Sequence, residues 1–107
     1  MTPSKAPLVT ENKGEVLRLK PKVDLVASTV EAQRSTMMKA LEARQSAVVL
    51  DLALVEQIDS LGITLVLGLF KTCQKTGATF AIEGVKADIM RVFRLFNLPK
   101  FFSILEA

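Results

Sequence analysis

Two neighbouring segments, Ala47-Val48-Val49-Leu50-Asp51-Leu52 and Asp59-Ser60-Leu61-Gly62, decide the fold of this chain. The first is short, rich in β-branched residues and apolar until Asp51, the pattern of a central strand that is covered on both faces. The second opens an almost wholly apolar helix predicted over 60–75, which Gly77 ends. A buried strand that leads directly into a buried helix predicts an α/β domain.

Weaker patterns extend this order in both directions. Alternating residues around the Asn12-Lys13-Gly14 turn predict a hairpin with strands near 8–10 and 16–20. Ser28 and Glu31 have the spacing of a capping box and predict a helix that ends near Ala43. A further strand is expected at 78–83 and a last helix at 86–96, which Pro99 stops. We therefore predict a mixed sheet of four to five strands with helices packed mainly on one face.

Length and composition indicate one globular domain. The chain has 107 residues, of which 50% are hydrophobic and 23% are charged. We expect residues 1–13 to form a loosely ordered arm or an edge strand and residues 14–107 to form the domain. The net charge of +3 is dispersed along the chain, and without a basic stripe it argues against a nucleic-acid partner. No apolar run is uninterrupted enough for membrane insertion.

The reactive residue types exclude several kinds of chemistry. The chain has no His and a single cysteine, Cys73, so a disulfide within the chain, a metal site and Cys/His catalysis lack their parts. Cys73 lies in the apolar helix and is predicted to be a core residue. Asp51 and Asp59 are a weak basis for acid–base catalysis, and no nucleotide-binding glycine motif is present. We expect neither an enzyme nor a cofactor. Because 1–5 lacks the apolar core of a secretory signal, we expect a cytoplasmic protein.

The segment Val48-Val49-Leu50-Asp51-Leu52-Ala53-Leu54-Val55-Glu56-Gln57-Ile58-Asp59-Ser60-Leu61-Gly62-Ile63-Thr64-Leu65-Val66-Leu67-Gly68 resembles the central part of a STAS domain, the fold of bacterial anti-sigma-factor antagonists. The resemblance extends less sharply from Lys22-Val23-Asp24-Leu25 to the region around 92–98. It implies a STAS fold, with the family's D-S-x-G motif at Asp59 to Gly62. The residue after the serine is Leu61, where the family usually has a small or hydroxylated residue.

This resemblance implies a function in transcription regulation by partner switching. The residue that a partner serine kinase phosphorylates in this family corresponds to Ser60. The unphosphorylated protein would bind an anti-sigma factor, which is often the kinase itself, and phosphorylation would release it until a serine phosphatase reverses the change. The resemblance also places Asp24 near the serine. We expect Asp24, Asp59, Ser60, Leu61 and Gly62 to contact the partner, and the protein itself to be a monomer or a weak homodimer.

Each of these residues also has a purely structural interpretation. Ser60 and Asp59 are residue types that commonly begin helices, and Gly62 is explained either by close approach to a partner or by packing of its own helix. The apolar residues near the C-terminal end, Phe93, Phe96, Leu98, Phe101 and Phe102, are predicted to be mostly core. Two other functions stay open: a STAS subunit of a phospholipid-transport ABC complex that is not phosphorylated, and a scaffold in a stress-signalling assembly.

Overall fold

Strands and helices alternate after an opening hairpin. The structure, a computed structural model, describes residues 8–107 apart from the side chain of Lys13. In chain order the elements are β1 (Leu8–Lys13), β2 (Val16–Pro21), α1 (Val30–Ala40), β3 (Ala47–Asp51), α2 (Ser60–Thr76), β4 (Thr79–Val85), α3 (Ala87–Leu95), a 3₁₀ turn (Leu98–Lys100) and β5 (Ser103–Glu106). Residues 1–7 of the predicted arm lie outside the described residues, and 8–13 form β1.

The five strands form one mixed sheet in the order β1-β2-β3-β4-β5. β1 and β2 pair antiparallel, whereas the pairs from β2 to β5 are all parallel. Parallel neighbours require a crossover connection, and each of the three helices lies in one. The predicted α/β fold is confirmed, and so is the central position of β3. β5, which has only four residues, was not predicted as a separate strand.

One face of the sheet carries the hydrophobic core. Side chains of β2, β3 and β4 that stand in register on this face form two buried rows: Leu17, Val48 and Phe80, followed by Leu19, Leu50 and Ile82. Each helix contributes buried apolar residues to the same core, among them Met37, Leu69 and Phe93. The prediction that the helices pack mainly on one face is therefore confirmed.

The other face of the sheet is open at its centre. There Arg18 Nη1 on β2 lies 3.2 Å from Asp51 Oδ2 on β3 and 3.1 Å from Glu83 Oε1 on β4. The hydrogen bond to Glu83 and the negative charge of both carboxylates raise the pKa of Arg18. Residues of β3 alternate between buried and half-buried, so the prediction that this strand is covered on both faces is wrong. The sequence does not show this alternation because residues 47–50 are all apolar.

Helix α1 begins differently from the prediction. Thr29, not Ser28, is the N-cap residue, and it makes no side-chain hydrogen bond to the helix. Its hydroxyl instead donates to the Asp24 carbonyl oxygen at 2.5 Å and accepts from the Val26 amide at 3.1 Å. The capping-box prediction for Ser28 and Glu31 is wrong because the helix begins one residue later, and the hydroxyl of Thr29 is used by the preceding turn.

Helix α2 ends as its sequence predicts. Gly77 is the C-cap residue in the left-handed region, with φ 82°, a conformation that glycine adopts without steric strain. Cys73, one turn earlier, is buried in the core as predicted. Burial raises the pKa of its thiol to about 11.

Four phenylalanines cluster near the carboxyl end of α2. The Phe70 ring centroid lies 5.0 Å from that of Phe102, 6.2 Å from that of Phe101 and 6.3 Å from that of Phe80. Phe102 also packs edge-on against Phe80, with centroids 5.0 Å apart. Among the five residues predicted to be mostly core, Phe93, Leu98 and Phe102 are buried, while Phe96 and Phe101 remain about half exposed.

Candidate functional site

The candidate site forms where two loops meet at the carboxyl ends of β2 and β3. One loop joins β2 to α1 and the other joins β3 to α2. A parallel bridge pairs Leu25 of the first loop with Ile58 of the second. It includes hydrogen bonds from the Leu25 amide to the Gln57 carbonyl at 3.1 Å and from the Asp59 amide to the Leu25 carbonyl at 3.2 Å. The two loops are therefore joined by their backbones directly before α2 begins.

Asp59 is the N-cap residue of α2 and also binds the neighbouring loop. Its Oδ1 accepts hydrogen bonds from the amides of Leu61 and Gly62, both at 3.0 Å. Its Oδ2 accepts from the Ala27 amide at 2.9 Å. These bonds, that from Gly62 most of all, lower the pKa of Asp59 against an opposing effect of desolvation. The N-cap interpretation is confirmed, and the carboxylate is occupied by backbone donors of its own chain.

Asp24 makes the reciprocal connection. Its Oδ1 accepts hydrogen bonds from the Glu56 amide at 2.8 Å and the Gln57 amide at 3.2 Å. Asp24 of the first loop thus fixes the backbone of the second, while Asp59 of the second fixes the first. The structure brings Asp24 to the segment that precedes Ser60 rather than into a hydrogen bond with the serine.

Ser60 is the first residue of α2, and it is exposed. Its hydroxyl makes no hydrogen bond to any part of the chain that the structure describes, and its carbonyl oxygen accepts from the Thr64 hydroxyl at 3.0 Å. Leu61 follows it with 48% of its surface exposed, and Leu54 in the preceding loop has the same exposed fraction. The site therefore presents a free hydroxyl beside exposed apolar side chains.

Gly62 is the one predicted contact residue that the structure buries. A Cβ atom at this position would lie 2.2 Å from the Leu25 carbonyl oxygen and 2.6 Å from Ile58 Cγ1. Only glycine allows the first turn of α2 to approach the Leu25 backbone this closely. Packing within the chain is thus the interpretation that the structure supports, and Gly62 offers no side chain to a partner.

Lys86 and Gly84 belong to the site although no sequence pattern indicated them. The Lys86 ammonium group binds the Ala53 carbonyl oxygen and lies 3.4 Å from the Val55 carbonyl oxygen. Gly84 has φ 70°, and a Cβ atom there would lie 3.2 Å from the Ala53 amide nitrogen. Gly84 lies in β4 and Lys86 directly follows that strand. Both reach the loop after β3 because β4 lies beside β3 in the sheet. The sequence indicates only that both residues stand near the end of a strand, and that position does not identify the loop that they contact.

A shallow groove of about 430 Å³ lies beside the site, between the second loop and α3. Apolar Ile58 and Val92 and acidic Glu56 and Asp88 are among the residues that line it. Within residues 8–107, no three His, Cys, Asp or Glu side chains are grouped to hold a metal ion. In the same range no helix combines the length and apolar character needed to cross a bilayer.

The model of one protein family, the STAS domain, matches residues 7–107. The chain belongs to the STAS domain family. This STAS domain is also similar in sequence to the intermembrane phospholipid transport system binding protein MlaB of Escherichia coli, with 29% identity over 80 residues that cover 71% of the chain and 82% of MlaB.

Two solved structures illustrate the shared fold. A Thermotoga maritima protein that is proposed to be an anti-sigma factor antagonist has a TM-score of 0.87 at 22% identity, over 94% of this STAS domain and 86% of that chain. The Bacillus cell fate determinant SpoIIAA in its phosphorylated form has a TM-score of 0.72 at 18% identity, over 94% and 90% of the two chains. At these identities the likeness shows the fold.

Proposed function

We propose that this STAS domain is a cytoplasmic anti-sigma factor antagonist controlled by phosphorylation of Ser60. In the unphosphorylated state it binds an anti-sigma factor that is also a serine kinase. Phosphorylation releases that partner, and a serine phosphatase restores binding. The observation that carries the proposal is the exposed, unbonded Ser60 hydroxyl at the start of α2, on a fold shared with SpoIIAA, which is known in a phosphorylated form.

The hydrogen bonds around Ser60 explain why a phosphate would act on docking more than on folding. A phosphate adds between one and two negative charges at neutral pH, and the positive end of the helix dipole favours it locally. The amides of Leu61 and Gly62 already donate to Asp59, so they are not free to enclose the new group. The added charge therefore faces outward, next to the exposed side chain of Leu61, and it disfavours an apolar partner surface there.

The experiment compares Ser60→Ala and Ser60→Asp with the wild type in a pull-down from the native cell, followed by affinity measurement on the recovered partner. We expect Ser60→Ala to bind constitutively and Ser60→Asp to bind several-fold more weakly or not at all. Ser35→Asp is the matched control. Ser35 is exposed on α1, so this substitution adds the same charge outside the two loops. Equal affinities of Ser60→Ala and Ser60→Asp would refute a charge switch.

Mass spectrometry tests the modification itself. Incubation with the recovered kinase and ATP should add one phosphate, located on Ser60. A phosphate on any other residue, with Ser60 unmodified, would remove the assignment.

The relationship to MlaB supports a second candidate function. MlaB is named as a binding protein of a phospholipid transport system, and this STAS domain would then dock on the ATPase of a comparable ABC complex without being phosphorylated. Recovery of an ATPase in the pull-down, with no phosphate on Ser60, would favour this function over the antagonist.

A further inference from the structure

Lys86 holds the loop that leads into the candidate site. It lies between β4 and α3, and 34% of its side chain is exposed. Its ammonium group binds the carbonyl oxygen of Ala53, lies 3.4 Å from that of Val55, and lies 3.7 Å from Glu56 Oε2. An ammonium group has three protons to donate. All three of these acceptors come from the segment 53–57, which we call the docking loop.

The docking loop is held from its other side by carboxylates. Asp51 Oδ1 accepts from the Ala53 amide at 3.0 Å, and Asp24 Oδ1 accepts from the amides of Glu56 and Gln57. A cation thus binds the carbonyl groups of the loop and anions bind its amide groups. Leu54, which lies between the two carbonyl groups that Lys86 binds, is left with 48% of its surface exposed.

We propose that Lys86 is a positioning residue that keeps the docking loop in its binding conformation and so presents Leu54 to the partner. This inference rests on the proposed function, since it concerns the same docking surface. A loop that is ordered before binding spares the complex the entropy of ordering it. Exposed ion pairs stabilise proteins little, so the effect of Lys86 comes mainly from its hydrogen bonds to the loop carbonyls rather than from the pair with Glu56.

Amide hydrogen exchange tests this role without any partner. In Lys86→Met, which keeps the side-chain length and removes the donors, we expect the Glu56 and Gln57 amides to exchange at least about tenfold faster, because local opening becomes easier. Lys86→Arg keeps the charge and the donors and should restore most of the protection. Lys71→Met, at an exposed lysine on α2, is the matched control and should exchange like the wild type. Unchanged exchange in Lys86→Met would overturn the proposal.

A double-mutant cycle with Leu54 then connects the loop to binding. With the recovered partner, Lys86→Met should weaken affinity several-fold in the wild-type background and have little further effect in Leu54→Ala, because the two changes act through one loop. Fully additive losses would show that Lys86 acts elsewhere. If Lys86→Met exchanges faster as expected, but both Lys86→Met and Leu54→Ala bind like the wild type, the docking role of the loop is refuted. The response of Ser60→Asp would still decide the phosphorylation switch separately.

Discussion

The two ends of α2 are held in place by different forces. At the amino end, the carboxylates of Asp24 and Asp59 bind backbone amides of the two loops and of the helix itself. At the carboxyl end, Phe70 packs among three other aromatic rings, and Phe102 within that cluster is only 8% exposed. One end is fixed by hydrogen bonds along the backbone and the other by buried apolar surface.

This difference bears on the docking surface proposed above. Because hydrogen bonds hold its backbone, apolar side chains are not needed for local order there, and Leu54 and Leu61 stay about half exposed. At the carboxyl end the buried rings of the cluster supply the stability, and Phe101 alone among the four keeps more than half of its surface exposed. What sets the amino end apart is therefore a backbone fixed by hydrogen bonds next to exposed apolar side chains.

Removal of one buried ring should give the largest effect. Phe102→Ala should lower the free energy of unfolding by about 3 to 5 kcal/mol, since it removes a buried side chain and leaves a cavity between Phe70 and Phe80. Phe101→Ala, at a ring that is 55% exposed, should lower it by about 1 kcal/mol or less. Urea denaturation of both variants measures the difference. Equal losses would mean that the aromatic end does not depend on buried surface.

A methyl group at the amino end should act through the backbone. Gly62→Ala places its Cβ against the Leu25 carbonyl oxygen and should lower the free energy of unfolding by about 2 to 3 kcal/mol, as overpacking does elsewhere. Gly68→Ala is the matched control in the same helix, where the nearest atom to the added Cβ is Met38 Cε at 3.9 Å. That variant should be stabilised by up to about 1 kcal/mol. A Gly62→Ala protein as stable as Gly68→Ala would contradict the close approach of α2 to Leu25.

Acid should weaken the hydrogen bonds of Asp59 at the amino end of α2. This is the smallest of the three expected effects on stability. The pKa of Asp59 is lowered in the folded protein, so the stability that its charge contributes is present above the ordinary carboxyl pKa of about 4 and is lost as the pH falls below it. Asp59→Asn retains an N-cap acceptor but cannot lose a charge. Its melting temperature should therefore fall less than that of the wild type between about pH 5 and about pH 3. Parallel curves for the two proteins would contradict the role assigned to the carboxylate.

The strongest sequence patterns predicted the elements that the core requires. The β-branched run of β3 and the apolar helix α2 with its terminal Gly77 were predicted almost to the residue. β5 was missed because four residues give too short an alternation to recognise. The capping-box prediction failed because α1 begins after Thr29, one residue later than the Ser28–Glu31 spacing requires, and no side chain caps it.

The site was predictable only in its local part. The role of Asp59 as N-cap follows from its position beside α2. The hydrogen bonds that Asp24 accepts from the Glu56 and Gln57 amides, and the one that Lys86 donates to the Ala53 carbonyl, join residues 32 or 33 positions apart in the sequence. Such contacts depend on which strands become neighbours, and no local spacing encodes them. The resemblance to the STAS family placed Asp24 near the serine without indicating what its carboxylate binds.

The buried thiol of Cys73 can serve as a chemical probe of local opening in α2. With a pKa of about 11, it stays protonated at neutral pH, and a protonated, enclosed sulfur reacts slowly with alkylating reagents. Since the chain has no other cysteine, every labelling event records the exposure of this one position on α2. Because alkylation is slower than reclosing of a local opening, the rate at which the protein takes up label reports the fraction of molecules in which Cys73 is exposed.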